Sequence, residues 1–248
     1  MGRPNVLVIA GYDQSAGAGV LSDVKTLEAN GVYGYAAITG MTFQHERAIR
    51  RVEWLSMADV TEQIDCCFES ANFLWVKMGI TASMPFAAGV IDHLRRLNPE
   101  VRVVLDPVIR ATSGKDFWSG LDREEWESVA ARCWLVTPNR EEMRWLYPGE
   151  EVEAACVSLN ARLDCRVYLK GGHDDAFPGR DYLWAGGEMR VLEPEAGSYS
   201  PKHGSGCVLS SALTANLALG YELSDAAVRA KRYIERFLAS NTTLLGWH

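Results

Sequence analysis

Glycines and a cysteine stand where a long apolar segment begins in the last quarter of the chain. Gly204-Ser205-Gly206-Cys207 opens a segment that continues to Leu219 with the pattern of a buried helix. Glycines at a helix start let the chain approach a ligand closely, and the free backbone N–H groups there favour an anion such as a phosphate. The same position predicts a pKa for the Cys207 thiol below that of a free cysteine, which suits a base or an anion site. Alternatively, Cys207 is a small buried residue that faces the core.

Acidic and amide side chains follow two further apolar segments. Asp106 comes directly after residues 103–105, and Asn139 and Glu142 follow residues 135–136. Mg²⁺ prefers a few carboxylates together with water and phosphate oxygens, and Asp106 and Glu142 supply such a sparse set. The spacing of Asn139 and Glu142 also fits a capping box, in which Asn139 caps a short helix and Glu142 completes the cap.

A lysine followed by two glycines ends another apolar segment. Lys170 stands before Gly171 and Gly172, and its ammonium group can reach a phosphate as a point charge. Taken alone, a lysine such as Lys170 is more often a surface residue. Together with an anion site, a sparse metal site and a candidate base, however, it indicates phosphoryl transfer.

These side chains follow short apolar segments that alternate with helical patterns along the whole chain. Strands are predicted at residues 6–10, 35–41, 74–78, 101–105, 134–136 and 166–169, and a hairpin at 182–192. Helices are predicted at residues 18–29, 58–69, 86–97, 124–131, 152–163, 206–219 and 224–240. Continuously apolar strands, each followed by a helix, predict a mostly parallel sheet covered on both faces. The expected architecture is therefore an α/β/α sandwich of three layers, and residues 1–248 form a single domain. In such sheets ligands bind beyond the carboxyl ends of the strands, where the polar groups above stand.

The composition excludes several classes of protein. With 248 residues, 48% of them hydrophobic and 23% charged, the chain is neither disordered nor fibrous. Its formal charge of −7 disfavours nucleic acid as a partner. Six cysteines without a C-x-x-C pair are too few for a disulfide scaffold, and no segment approaches the ~18 apolar residues of a membrane helix. We therefore expect a cytoplasmic protein without a membrane or nucleic-acid partner. The basic residues of the last helix predict a solvated helix face; they are Arg229, Lys231, Arg232 and Arg236.

The order of these motifs resembles that of the hydroxymethylpyrimidine/phosphomethylpyrimidine kinases, which belong to the ribokinase-like superfamily. The matching segments occur in the family's order at residues 11–19, 23–27, 31–34, 106–108, 113–114, 137–142, 170–173 and 203–207. The resemblance extends from about Val6 to about Leu219. It implies a ribokinase-like fold, ATP as co-substrate, Mg²⁺ as cofactor and a homodimer.

The family phosphorylates 4-amino-5-hydroxymethyl-2-methylpyrimidine, then adds a second phosphate to give the pyrophosphate used for thiamine synthesis. On the substrate side, the resemblance implies that Gln44 hydrogen-bonds the aminopyrimidine edge and that Asp23 lies beside the pocket. It also implies that the backbone of Gly11, Ala18 and Gly79 lines this pocket.

On the phosphate side, the resemblance implies that Asp106 and Glu142 organise Mg²⁺. Cys207 takes the position of the aspartate base found in sugar kinases of the superfamily, and accepts the proton of the attacking hydroxyl. The implied nucleotide-binding residues are Lys170, Asn139, Gly204 and Ser205, and the implied catalytic residues are Cys207, Gly204, Gly206 and Lys170.

The chain departs from the family pattern at several positions. Tyr12, Gln14 and Ala16 replace three members of the usual first loop, and a tyrosine there is large enough to narrow the pocket. Thr112 stands where a lysine is common, which removes one expected nucleotide contact.

Three other functions compete with this interpretation. A pyridoxal kinase of the same superfamily is disfavoured by Gln44, since an amide matches the donor and acceptor of an aminopyrimidine. A non-catalytic paralogue that binds the pyrimidine is disfavoured because Lys170, Glu142 and Cys207 are all present. A dinucleotide dehydrogenase lacks support, because the glycines after Gly11 do not have the G-x-G-x-x-G spacing.

Overall fold

The computed structural model describes residues 2–110, 117, 118, 120, 122–172, 174 and 176–248. Thr112, the segment 113–114 and His173, which belong to the motifs above, lie outside the described residues.

The strands and helices alternate along the chain, as the apolar pattern predicts. The strands are β1 (Asn5–Tyr12), β2 (Tyr33–His45), β3 (Ala48–Trp54), β4 (Trp75–Met78), β5 (Arg102–Leu105), β6 (Leu135–Val136), β7 (Arg166–Leu169), β8 (Asp181–Ala185) and β9 (Glu188–Leu192). The helices are α1 (Gly19–Ala29), α2 (Met57–Ser70), α3 (Met84–Leu97), α4 (Arg123–Ala130), α5 (Arg140–Leu146), α6 (Val152–Leu163), α7 (Ser205–Ala218) and α8 (Leu223–Ala239).

These strands form one sheet of nine, in the order β3-β2-β1-β4-β5-β6-β7-β8-β9. The central strands β2, β1, β4, β5, β6 and β7 pair in parallel with their neighbours in that order. Strand β3 pairs antiparallel at one edge of the sheet, and β8 and β9 pair antiparallel at the other. After β1, the chain first builds the side of the sheet that holds β2 and β3, and then returns to place β4 on the other side of β1. The gap between β1 and β4 is therefore the point at which an open sheet of this type leaves room for a ligand.

Helices cover both faces of the sheet, and a hydrophobic cluster fills each interface. Alternate residues of β1 divide between the two clusters: Leu7 and Ile9 belong to one, Val6 and Val8 to the other. The first cluster holds buried residues of α2–α6, and the second holds buried residues of α1, α7 and α8. The predicted three-layer α/β/α architecture is confirmed.

Strand β3 was not predicted from the sequence. Its residues Arg50, Arg51 and Glu53 interrupt any apolar run, because β3 lies at the edge of the sheet with these side chains exposed. Charged residues on an edge strand hinder pairing with another chain, which explains why this strand lacks the apolar signature of the central ones. Strand β2 also continues to His45, past the predicted end at residue 41, because β3 pairs with this extension.

Among the residues that the structure describes, no helix is both long enough and apolar enough to cross a membrane.

Replacement of Leu7 by Ala tests the packing of the sheet against its helices. Leu7 is fully buried in the centre of β1, so we expect Leu7→Ala to lower the free energy of unfolding by about 2–5 kcal/mol. Leu97→Ala is the matched control, because Leu97 is 40% exposed at the end of α3 and its loss opens no cavity. Urea unfolding of both variants measures the difference; equal losses would contradict the assigned core.

Candidate active site

A cavity of about 410 Å³ opens beyond the carboxyl ends of the parallel strands, next to the start of α7. Residues at or just after the ends of β1, β2, β4, β5, β6 and β7 contribute to its lining. The predicted site residues that line it are Gly11, Ala18, Gln44, Gly79, Asp106, Asn139, Glu142, Lys170, Gly204, Ser205, Gly206 and Cys207. The fold thus brings to one place groups that are far apart in the sequence.

The first turn of α7 lies against the loop that connects β1 to α1. Gly204 precedes the helix with a φ of 74°, in the left-handed region that favours glycine. A Cβ atom at Gly204 would collide with the carbonyl oxygen of Gly17, so a larger residue does not fit this contact. Gly204 has no side chain with which to cap α7, and the first residues of the helix line the cavity. This helix start is therefore suited to hold an anion.

Asp13 and His203 connect the same loop to the start of α7. The Asp13 Oδ2 atom lies 2.8 Å from His203 Nε2, and the carboxylate also accepts the backbone N–H groups of Ser15 and Ala18 at 2.9 Å. Burial opposes the charged form of Asp13, but the hydrogen bonds from His203 and Ser15 hold the pKa of its carboxyl below the ordinary value. Sequence reasoning did not pair these residues, because 190 positions separate them.

Lys170 is a buried residue of the site and not a surface lysine. Its Nζ atom lies 2.6 Å from Asp106 Oδ1 and 3.8 Å from Glu142 Oε2. A Cβ atom at Gly206 would stand 3.2 Å from Nζ, so the glycine leaves space for the ammonium group beside α7. Burial disfavours the charged form, but the two carboxylates raise the pKa of Lys170 above its ordinary value. Lys170 is therefore a fixed cation in the cavity wall.

The capping box at the start of α5 forms, and its residues also line the cavity. The Asn139 Oδ1 atom accepts the Glu142 N–H at 2.8 Å, and Glu142 Oε2 accepts the Asn139 N–H at 2.7 Å. Burial raises the pKa of the Glu142 carboxyl to about 7, although Lys170 opposes this shift. The two interpretations of this spacing are therefore compatible, since one carboxylate completes the cap and faces the ligand space.

The carboxylates of Asp106 and Glu142 form a sparse donor set. In the described part of the chain, no group of three or more His, Cys, Asp or Glu side chains is placed to hold a metal ion. Two carboxylates beside an open cavity suit Mg²⁺, which takes its other ligands from water and phosphate. They do not suit a structural Zn²⁺, which needs a closed set of protein ligands.

The prediction that the helix start lowers the pKa of the Cys207 thiol is wrong. Cys207 lies in the first turn of α7 and lines the cavity, but burial raises the pKa of its thiol to about 11. The Lys77 ammonium and the Gly19 N–H oppose this shift, while the carboxylates of Asp23 and Asp106 add to it. Desolvation and nearby carboxylates therefore outweigh the helix dipole at this position.

Asp23, expected beside the substrate, lies beneath the cavity and does not line it. Its carboxylate is fully buried, 2.7 Å from Lys77 Nζ and 2.7 Å from Ser211 Oγ. Lys77 was missed by the sequence analysis, which assigned its segment to a buried apolar strand. The available signal was the lysine itself, because an ammonium group in such a strand needs an acidic partner.

One end of the cavity is suited to an aromatic ring that bears polar groups. Ile80, Thr42 and Phe117 line this end together with Gln44, whose amide oxygen Oε1 is buried and accepts no hydrogen bond among the described residues. Gln14, one of the residues that differ from the family pattern, lies nearby, and its Oε1 atom is 3.4 Å from the backbone nitrogen of Gln44.

The other two residues of the first loop that differ from the family pattern, Tyr12 and Ala16, affect only their own surroundings. Tyr12 packs partly buried against the hydrophobic cluster of α1, α7 and α8, and is not part of the cavity lining. Ala16 has a φ of 54° in the left-handed region, where glycine is the favoured residue.

The opposite end of the cavity lies between α8 and the segments around β8 and β9. Its apolar lining includes Ile234, Leu238, Pro178 and Pro194. These residues were not predicted as site residues, because nothing in the local pattern distinguishes them from core positions.

Lys231 also contributes to this end, and its predicted place on a solvated helix face is wrong. It is buried, with its Nζ atom bonded to the Gly179 carbonyl, 3.1 Å from Asp181 Oδ2 and 3.2 Å from Glu235 Oε1. The helical spacing of the basic residues of α8 does not reveal that Asp181 of β8 and the Gly179 carbonyl face Lys231.

The cavity combines a helix start open to an anion, a buried ammonium group and two carboxylates at the strand ends. Kinases use such groups to hold a nucleotide phosphate. The sheet order and the position of the cavity place this phosphotransferase among the ribokinase-like proteins.

Comparisons with known proteins agree with this class. The profile of the phosphomethylpyrimidine kinase family matches residues 13–248. The hydroxymethylpyrimidine/phosphomethylpyrimidine kinase of Rhizobium meliloti (strain 1021) is 33% identical over 245 residues, which cover 94% of this chain and 90% of that protein. The crystal structure of phosphomethylpyrimidine kinase from Clostridium difficile 630 is 30% identical with a TM-score of 0.78, over 94% of this chain and 98% of that one. The ADP complex of Bacillus subtilis pyridoxal kinase is 26% identical with a TM-score of 0.83, over 96% and 93%.

The chain therefore belongs to the phosphomethylpyrimidine kinase family.

Replacement of Gly204 by Ala tests the close contact at the start of α7. A methyl group there meets both an unfavourable φ and the Gly17 carbonyl, so we expect Gly204→Ala to cost more than about 3 kcal/mol of stability and to abolish ADP binding.

Gly186→Ala is the matched control, because Gly186 has a φ of 58° but no atom within 4 Å of the new methyl group. This variant should lose only about 1 kcal/mol and keep ADP binding. Urea unfolding and isothermal titration with ADP measure both effects; ADP binding by Gly204→Ala at wild-type affinity would refute the role of the contact.

Proposed function

We propose that this kinase transfers the γ-phosphoryl group of ATP to the hydroxymethyl oxygen of 4-amino-5-hydroxymethyl-2-methylpyrimidine, and then phosphorylates the monophosphate, for thiamine biosynthesis. Membership of the family supports the class of substrate. The observation that carries the choice of ring is the Gln44 amide oxygen, which is buried in the cavity lining without a hydrogen-bond donor among the described residues.

An aminopyrimidine supplies what the Gln44 amide lacks. Its exocyclic amino group donates to Oε1, and the adjacent ring nitrogen accepts from the amide NH₂ group. Pyridoxal has no exocyclic amino group, so its binding would leave Oε1 unsatisfied at a cost of about 1–3 kcal/mol. The buried amide therefore favours the pyrimidine over the pyridine ring.

The phosphates of ATP bind where positive charge is concentrated. The backbone N–H groups at the start of α7, at Ser205 and Gly206, hold the phosphate that is transferred, and the Lys170 ammonium group neutralises part of its charge. The apolar end of the cavity near Ile234 and Leu238 receives the base of the nucleotide. In this arrangement the γ-phosphorus would lie between Lys170 and the substrate end of the cavity.

Asp106 and Glu142 would hold Mg²⁺ beside Lys170, and Asn139 would support the phosphate. When bound, Mg²⁺ offsets the negative charge of the phosphate chain and orients it for transfer. The donor set described above supports this assignment.

The transfer forms one bond and breaks one. The hydroxymethyl oxygen bonds to the γ-phosphorus while the bond from that phosphorus to the β,γ-bridging oxygen breaks, and ADP leaves. Cys207 is the group placed to accept the hydroxyl proton at its sulfur. Because burial raises the pKa of this thiol to about 11, the thiolate is a minor form at neutral pH and a strong base once formed.

The resemblance also supports a homodimer, and the arrangement in one sheet of the nine strands that the structure describes supports a single domain. Sedimentation velocity tests the first of these properties.

A panel of substrates in an ADP-release assay tests the function. We expect Mg²⁺-dependent ADP release with the hydroxymethylpyrimidine and with its monophosphate, and much less with pyridoxal. Gln44→Leu should lower kcat/KM for the pyrimidine by about 10- to 100-fold, since it removes both hydrogen bonds of the amide. The same variant should leave the KM for ATP and the low activity with pyridoxal nearly unchanged. Turnover with pyridoxal alone would overturn the assigned substrate.

The role of Cys207 predicts a particular dependence on pH. Below the pKa of the thiol, the thiolate fraction grows about tenfold for each pH unit, so kcat should rise with pH between about 7 and 9. Cys207→Ala should lower kcat at least about 100-fold and flatten this rise, while ATP binds with nearly wild-type affinity.

Cys156→Ala is the matched control, because Cys156 is buried in α6 and does not line the cavity. Near-normal turnover by Cys207→Ala would remove Cys207 from the role of base.

A further inference from the structure

A buried ion pair lies beneath the cavity and has no part in the mechanism described so far. Lys77 of β4 and Asp23 of α1 are both fully buried, and Lys77 Nζ lies 2.7 Å from Asp23 Oδ2. The second carboxylate oxygen of Asp23 accepts the hydroxyl of Ser211, in α7, at 2.7 Å. Three elements that surround the site therefore meet at one charged cluster, which we call the Lys77 cluster (Lys77, Asp23 and Ser211).

This cluster is costly as a purely structural device. Desolvation of two charged groups offsets most of their attraction, so an apolar pair of similar volume often stabilises a protein equally well. A buried ammonium group in an otherwise apolar strand therefore calls for an explanation other than stability. Burial disfavours its charged form, but Asp23 and the nearby Cys207 and Asp106 raise the pKa of Lys77 above its ordinary value. Lys77 is a permanent cation at this place.

The Lys77 ammonium group lies next to the cavity and acts on Cys207. A Cβ atom at Gly79 would stand 3.2 Å from Lys77 Nζ, and Gly79 lines the cavity, so only a glycine separates the ammonium group from the ligand space. Ser211 lies one turn after Cys207 on α7, and residues at this spacing share a helix face. The Lys77 charge is also the largest influence that opposes the upward pKa shift of Cys207.

We propose that Lys77 is a positioning residue of the kinase: held by Asp23 and Ser211, it supplies a fixed positive charge beneath the first turn of α7 that stabilises negative charge on the Cys207 sulfur. The proposal rests on the proposed function for its effect on turnover, but its effect on the Cys207 thiol needs no substrate. It assigns to Asp23 a part in the site that differs from contact with the substrate.

The test removes the charge without leaving a carboxylate unpaired. The double variant Lys77→Met/Asp23→Asn replaces both charges with neutral groups of similar size, and the amide oxygen introduced by Asp23→Asn can still accept the Ser211 hydroxyl. Circular dichroism and thermal unfolding establish that the variant is folded. The readouts are kcat and the KM for ATP, together with the rate at which iodoacetamide modifies Cys207, resolved by mass spectrometry. Exposed Cys66 serves as the internal reference for the reagent.

We expect iodoacetamide to modify Cys207 about tenfold more slowly in the double variant than in the wild type, since one unit of pKa changes the thiolate fraction tenfold. Its kcat should fall at least about tenfold, with the KM for ATP within about twofold of the wild-type value. A second double variant, Lys77→Gln/Asp23→Asn, removes the same two charges but keeps polar side chains that can hydrogen-bond each other, so its Cys207 should also react about tenfold more slowly than in the wild type. This variant keeps the proposal testable if Lys77→Met/Asp23→Asn does not fold.

The proposal would be overturned if the folded Lys77→Met/Asp23→Asn variant turned over substrate and reacted at Cys207 at wild-type rates. The Lys77 cluster would then have a purely structural role. A wild-type rate of Cys207 modification in the folded Lys77→Gln/Asp23→Asn variant would also overturn the proposal, because the charge of Lys77 is absent there as well. If the wild-type protein phosphorylates no pyrimidine, the proposed function fails, whereas the modification rates still decide whether Lys77 acts on Cys207.

Discussion

The pairing of buried carboxylates with one histidine and two lysines around the start of α7 is the interaction on which the site depends. Asp13 pairs with His203, Asp23 with Lys77, and Asp106 with Lys170. A nucleotide brings further negative charge to this place, and unpaired carboxylates would repel it. Each pair also joins segments that are distant in the chain, so the same contacts that balance charge also hold the loops and α7 in their relative positions.

This local balance explains how a chain with a formal charge of −7 can bind ATP. Net charge governs encounters with extended polyanions, but a single nucleotide responds to the potential inside one cavity. There, in the proposed function, the backbone N–H groups of α7 and the ammonium group of Lys170 would face the phosphates. The carboxylates of Asp106 and Glu142 are available to a divalent cation that carries its own positive charge. In the proposed function, the same groups thus serve both ATP binding and phosphoryl transfer.

Much of the fold was predictable, because buried parallel strands are continuously apolar and their helices are amphipathic. Strand β3 was not, since an edge strand with Arg50, Arg51 and Glu53 exposed carries no such signal. Most of the predicted site residues line one cavity, because parallel strands deliver the residues after them to the same edge of the sheet. Lys77 and Lys231 escaped prediction, since the acid that pairs with Lys77 and one of the two that pair with Lys231 lie on other elements, and no local sequence pattern reveals their burial.

The amino-acid sequence by itself determined the architecture, the phosphotransferase chemistry and most of the residues that line the cavity. These follow from hydrophobic periodicity and from the order of motifs at strand ends, both of which are properties of short segments. Only the tertiary structure decided that Asp23 pairs with Lys77 beneath the cavity, and that the pKa of Cys207 rises to about 11. The reason is physical: pairing and pKa depend on burial and on charges a few ångströms away through space, which come from segments that the sequence places far apart.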